Sequence, residues 1–229
     1  MRHNQRHDRR IRHAPPPGPA EAIVRIRFTR RVVNEDATSD LDPEFDADGR
    51  ITPDSLTRIR KSAEQGNAIA MANLGTQLIA AGDQAGALHW LSKAWDAGNV
   101  PAGFNLGTLH TMVGDTHQAR VIWERCAALG DADAMLGLIR QALERGQPRS
   151  AERWIRAVFA QPDVFPITAM GFALAEHGHV REAVETYRRA VDLGDAYAME
   201  YLAAICDTQG SHEEAEELRR RATTAERML

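Results

Sequence analysis

The side chains with the chemistry of nucleophiles, bases or metal ligands are few in this 229-residue chain, and they are scattered. A thiol beside an imidazole makes an activated nucleophile, and His110 and Cys206 are the residue types for that work. His177 and His179 flank Gly178 and have donor atoms for a metal, but two histidines without a further ligand hold an ion weakly. Glu44-Phe45-Asp46-Ala47-Asp48-Gly49-Arg50-Ile51-Thr52 echoes a calcium loop, with oxygens at Glu44, Asp46 and Asp48 and the glycine and Ile51 in step. Its closing position holds Ser55 where a bidentate Glu belongs. Thr52-Pro53-Asp54-Ser55 is better explained as a helix start, with Thr52 as cap and Pro53 in the first turn. No Gly-rich phosphate loop, nucleophile elbow or paired carboxylate cleft appears. The sequence offers no active site, implies no cofactor or metal, and reads as non-enzymatic.

The elements that would position such residues follow from a strict period. Gly82, Gly114, Gly146, Gly178 and Gly210 recur every 32 residues, and Ala87, Ala119, Ala151, Ala183 and Ala215 follow each by five. Eight residues before each glycine stands Leu74, Leu106, Leu138, Met170 or Leu202. A second turn repeats as Gly66-Asn67, Gly98-Asn99, Gly130-Asp131 and Gly194-Asp195, with Gln161-Pro162-Asp163 in one place. Between turns, Met71, Leu74, Leu78 and Trp90, Leu91, Ala94 follow the three-and-four spacing of a helix with one apolar stripe. Each unit therefore holds two helices and two short turns. Eleven helices are expected near 53–65, 67–81, 84–97, 101–113, 116–129, 132–145, 148–160, 164–177, 180–193, 196–209 and 212–227. Asp115-x-x-Gln118 and Ser211-x-x-Glu214 read as capping boxes, and Pro148 suits a first helical turn. The small Ala of each second helix, with Gly75, Gly107 and Gly171 on the first, is expected to let helix backbones approach closely. Trp90, Trp123, Trp154 and Tyr187, near one register, are expected to fill the space between repeats. Trp95 falls outside that register and is the candidate for exposure. Cys126 occupies the slot of Ala94, Ala190 and Ala222 and reads as a small buried residue. His110 and Cys206 share a register three repeats apart, too far to meet at roughly 10 Å per helix layer.

Met71-x-x-Leu74-Gly75-x-x-Leu78 followed by Ala87-x-x-x-Leu91 resembles the tetratricopeptide pattern, and Ala119-x-x-x-Trp123 and Ala183-x-x-x-Tyr187 repeat its second half. Arg60-Lys61-Ser62-Ala63-Glu64-Gln65-Gly66-Asn67-Ala68 with Asn73-Leu74-Gly75, and Ala87-x-x-Trp90-x-x-Lys93-Ala94-x-x-x-Gly98, look like the Sel-one-like (Sel1-like) subclass. The likeness covers residues 53–222, and the 32-residue period is shorter than either family usually shows. The resemblance implies an all-α fold, an α–α superhelix of about five two-helix repeats behind a leading half repeat, with an extended N-terminal segment. It also implies a groove lined by the first helix of each pair. Carried over by register, that groove presents Asn73, Thr76, Phe104, Asn105, Thr108, Thr111, Arg140, Glu144, Phe172, Glu200 and Tyr201. A side-chain amide both donates and accepts, so Asn73 and Asn105 suit an extended peptide backbone. The family's chaperone-binding members grip a terminal carboxylate with groove lysines, and this chain has none there.

The net charge of −4 conceals a division. Residues 1–33 carry +7 and residues 34–50 carry −6. Residues 1–20 read as a disordered basic arm ending in Pro15-Pro16-Pro17 and Gly18-Pro19-Ala20, without the apolar core of a secretory signal. Residues 21–33 read as a β-strand, since Val24, Ile26 and Phe28 alternate with Arg25, Arg27 and Thr29. Residues 34–52 form an acidic linker, and 53–229 the repeat domain. No apolar run approaches the ~20 residues that span a bilayer. Two cysteines, Cys126 and Cys206, make no disulfide framework, which suits a reducing cytoplasm. Arg supplies 26 of the 28 basic residues, a bias that GC-rich bacterial genomes produce. The expected function is a scaffold or adaptor holding a protein or peptide in the groove. The alternative is a nucleic-acid-associated protein acting through the Arg-rich arm.

Overall fold

The computed structural model describes residues 43–46 and 51–226. The basic arm, the strand reading over 21–33 and most of the acidic linker lie outside them. Among the described residues there are eleven α-helices: α1 (Pro53–Glu64), α2 (Ala68–Ala80), α3 (Gln84–Asp96), α4 (Val100–Met112), α5 (Thr116–Ala128), α6 (Ala132–Glu144), α7 (Pro148–Phe159), α8 (Phe165–Glu176), α9 (Val180–Asp192), α10 (Ala196–Thr208) and α11 (His212–Glu226). Each matches an expected helix. Helices pair as α2–α3, α4–α5, α6–α7, α8–α9 and α10–α11, and each pair packs on the next, an α–α superhelix of repeats with α1 as the leading half repeat.

The two turn series merge into one of 16 residues; a glycine closure recurs through them, and at most of them an Asx cap follows it. Gly114 has φ +87°, its N–H donates to the Thr111 carbonyl (3.0 Å), and the Asp115 N–H donates to the His110 carbonyl (2.8 Å). These are the two closing bonds of a Schellman cap, which needs a left-handed residue that glycine adopts without strain. Asp115 then caps the next helix, accepting from the Gln118 N–H at 3.0 Å. Two residues thus end one helix and start another. The same arrangement puts Asn67, Asn99, Asp131 and Asp195 at the starts of first helices, their side chains bonded to free amides of the first turn.

One turn departs. After α7 no residue takes the left-handed conformation, and the turn glycine's place in the register is held by Pro162, which has no N–H. Gln161 donates to the Val158 carbonyl (3.1 Å), but the bond from the turn glycine's N–H cannot form. Helix α8 begins a residue late and packs less on α7, and more on α6, than its counterparts do.

The alanine register holds: Ala87, Ala119, Ala151, Ala183 and Ala215 are all fully buried. The glycines act differently from expectation. A Cβ on Gly107 would lie 2.4 Å from Trp123 Nε1, one on Gly171 2.7 Å from Tyr187 Cε1, and one on Gly75 2.6 Å from Leu91 Cγ. Each first-helix glycine mainly makes room for a large side chain 16 residues onward in its partner helix. The aromatic set also separates into two registers. Trp123 and Tyr187 are buried, whereas Trp90 and Trp154 are half-exposed with Lys93 and Arg153 over their faces. Trp95 is only part-exposed, for it packs against Gly103 of α4 and carries the Arg125 guanidinium on its ring.

Thr52 caps α1, accepting from the Ser55 N–H (3.3 Å) with Pro53 in the first turn. Glu44 reaches the same helix: its N–H donates to the buried Ser55 hydroxyl (3.1 Å) and its carboxylate pairs with Arg58 (2.7 Å). An antiparallel bridge joins Phe45 and Ile51.

Candidate functional site

The first helices carry the residues expected to line a groove, and short side chains there are tied to their own helix. The Thr76, Thr108 and Thr111 hydroxyls donate to the carbonyls of Ala72, Phe104 and Gly107, at 2.9, 3.1 and 3.2 Å. Such bonds satisfy a threonine that would otherwise compete with the helix. Across neighbouring repeats the same face is stitched by side chains. Asn105 Nδ2 on α4 donates to Thr76 Oγ1 on α2 (3.3 Å). Arg140 on α6 lies 4.0 Å from Glu176 on α8. Phe172 on α8 meets Tyr201 on α10 with centroids 5.6 Å apart. Asn105 keeps its carbonyl oxygen and a second amide hydrogen for another bond.

The eleven residues do not all reach the surface. Phe104 is 5% exposed, stacked on Trp123 at 6.0 Å, and its carbonyl accepts from the indole N–H at 3.1 Å. It belongs to the core of its repeat, because glycine at 107 draws the indole under α4. Tyr201 is half-buried and stacks on Tyr187 at 5.5 Å. Burial pushes both phenols up, with the neighbouring Tyr201 adding to the effect on Tyr187 and Tyr197 to that on Tyr201. Asn73, Thr76, Asn105, Thr108, Arg140 and Phe172 are part-exposed, and Thr111, Glu144 and Glu200 exposed. Glu176, the partner of Arg140, escaped the sequence reading. Its signal is a carboxylate 36 residues after Arg140, one first helix onward.

The residues with catalytic chemistry are occupied structurally. Cys126 is fully buried, and burial, then the Asp131 carboxylate, pushes its thiol up to about 12. Cys206 is buried and its thiol raised by burial and then by Glu214. His177 Nδ1 lies 2.7 Å from the Ala173 carbonyl. Among the described residues no group of three or more His, Cys, Asp or Glu could hold a metal, and no helix is long and apolar enough to cross a membrane.

The architecture is a helical-repeat fold similar to that of tetratricopeptide and Sel1-like proteins. The tetratricopeptide-repeat profile matches residues 132–157, which are α6 and most of α7. Two solved structures share the fold. One is a protective antigen of uropathogenic Escherichia coli strains displaying an SLR fold, with TM-score 0.53, 23% identity, 74% of this chain covered and 41% of that one. The other is a Sel1 repeat protein from Oxalobacter formigenes, with TM-score 0.52, 20% identity, 74% of this chain covered and 78% of that one. The chain thus spans about two fifths of the antigen's length. No curated protein matches the sequence.

Proposed function

We propose that the chain is a non-enzymatic scaffold or adaptor that holds an extended segment of a protein or peptide partner against its first helices. The observation that carries this reading is the cross-repeat polar link Asn105–Thr76, which fixes an amide with unused bonding capacity on the first-helix face. A fixed amide loses little conformational freedom on binding, and it pairs with any peptide backbone whatever its sequence. Arg140 and Glu176 place one charge of each sign on the first helices of the following repeats, α6 and α8. Repeat proteins of this class generally bind proteins or peptides.

The test is capture of a partner by the full chain, identification of the bound segment, and titration of that segment as a synthetic peptide. A net hydrogen bond is worth roughly 0.5–1.5 kcal/mol, so Asn105→Ala is expected to weaken binding about two- to tenfold at unchanged melting temperature. Arg181→Ala, exposed on the second helix α9, is expected to leave affinity unchanged. Abolition by the Arg181 change with a silent Asn105 change would put the partner on the second helices.

A further inference from the structure

A cleft between α5, α6 and α7 has Arg120, Glu124, Leu138, Arg145, Ser150 and Trp154 in its walls. Arg120 is half-buried, and its Nε is sealed from solvent with no hydrogen-bond acceptor among the described residues. A ligand in the cleft cannot reach that sealed nitrogen, so any contact with Arg120, which is half-buried as a whole, falls to its terminal nitrogens. The second guanidinium is held in place. Arg145 Nη2 donates to Thr116 Oγ1 (3.1 Å), and the buried Gln141 amide donates to the Thr116 carbonyl (3.0 Å). The floor is apolar, formed by buried Leu138 and the half-buried Trp154 ring, over which Arg153 stacks at 3.9 Å.

The charges define what fits. Glu124 turns to Arg153 at 3.9 Å and makes no ion pair with Arg120, so the cleft stays net positive. Helix α7 adds to this, because Gln147 gives its first turn no side-chain cap, unlike Asp83 and Asp115 in the two preceding repeats. A carboxylate at the rim disfavours a doubly charged anion over a single negative charge. We propose that this cleft is an interaction site for a glutamate side chain of a protein partner, the carboxylate set between Arg120 and Arg145 and the methylenes over Leu138 and Trp154. The bidentate geometry of guanidinium and carboxylate suits that pairing. The basic pair occurs in a single repeat: the same positions hold Leu88 and Val113 one repeat earlier and Glu152 and His177 one repeat later. Leu88 and Val113 are exposed, so the preceding repeat has no basic counterpart of the pair. Helices α5 and α7 are second helices, and the site does not rest on the groove reading.

The experiment titrates the full chain with N-acetylglutamate amide and follows the Arg120 Nε–H and Trp154 indole N–H by two-dimensional NMR. N-acetylglutamine amide and inorganic phosphate are the comparison ligands. A ligand this small is expected to half-saturate at about millimolar concentration. Saturating shifts with the glutamate, none with the glutamine, and weaker binding of phosphate are the expected result. Arg120→Gln is expected to weaken the response about tenfold or more, and Glu124→Gln, which removes the repelling charge, to tighten it about two- to fivefold. The second variant gives the answer even where the first fails to fold. Asn105→Ala is expected to leave the response unchanged, which separates this site from the groove. Tighter phosphate binding, equal shifts with glutamine, or a Glu124→Gln chain that binds no better overturns the proposal.

Discussion

Gly107 shows how closely a single side chain is specified here. The volume a methyl group needs at this position is filled by the Trp123 indole, 2.4 Å from where the carbon would sit. Gly107→Ala forces that ring off its bond to the Phe104 carbonyl and is expected to cost about 1–3 kcal/mol by overpacking. Thermal or denaturant unfolding checks this, and replacing Trp123 with Leu in the same chain is expected to recover part of the loss. An unchanged melting temperature would mean the indole is not packed under α4. The alanines five residues after each turn glycine were legible as buried because five repeats agree on them. Why Gly75, Gly107 and Gly171 are glycine was not legible from the first helix alone. The answer stands 16 residues away, in Leu91, Trp123 and Tyr187, and close packing of one side chain on another carries no periodic signal. Phe104 and Trp95 left their expected places for the same reason.

Helix α11 replaces the large apolar residue of that register with Arg219, which pairs with Asp207 of α10; His212 Nδ1 also lies 3.1 Å from Asp207. The hydrogen bonds from Arg219, then His212, hold the Asp207 carboxyl below the usual carboxylate range. The sign follows from that depression. The contact contributes above the unfolded carboxylate range and is lost as pH falls through the lower folded value. Amide exchange across α10 and α11 is therefore expected to accelerate selectively in acid below about pH 4. Asp207→Asn is expected to be the less stable chain near neutrality, with the difference vanishing in acid. A difference that persists unchanged at low pH would remove the contact from any role. The helix boundaries themselves were written in the chain, because Gly-Asx pairs cap both neighbours at once. Pro162 marked the irregular turn in the same way, but the shift of α8 from α7 toward α6 was not readable, since it depends on what α8 packs against.

At the scale of the whole molecule, the nine arginines of residues 1–33 make the alternative, nucleic-acid reading testable. Any nucleic-acid binding by the intact chain is expected to fall steeply with added salt and to disappear when residues 1–33 are deleted. Fluorescence anisotropy across a salt series checks this, and salt-insensitive binding that survives the deletion would place the activity elsewhere. The sequence by itself determined the number of helices, their ends and their stacking order. Each of these rests on local chemistry repeated at a fixed spacing: a glycine that turns left, an Asx that caps, an alanine that fits between helices. Only the tertiary structure decided which of the first-helix residues face outward, which aromatic ring fills which glycine's space, and that Arg120 and Arg145 converge on one cleft. Those two arginines stand 25 positions apart, Arg120 on α5 and Arg145 at the C-terminal cap of α6. Their meeting is set by how three helices pack, and no local pattern encodes it.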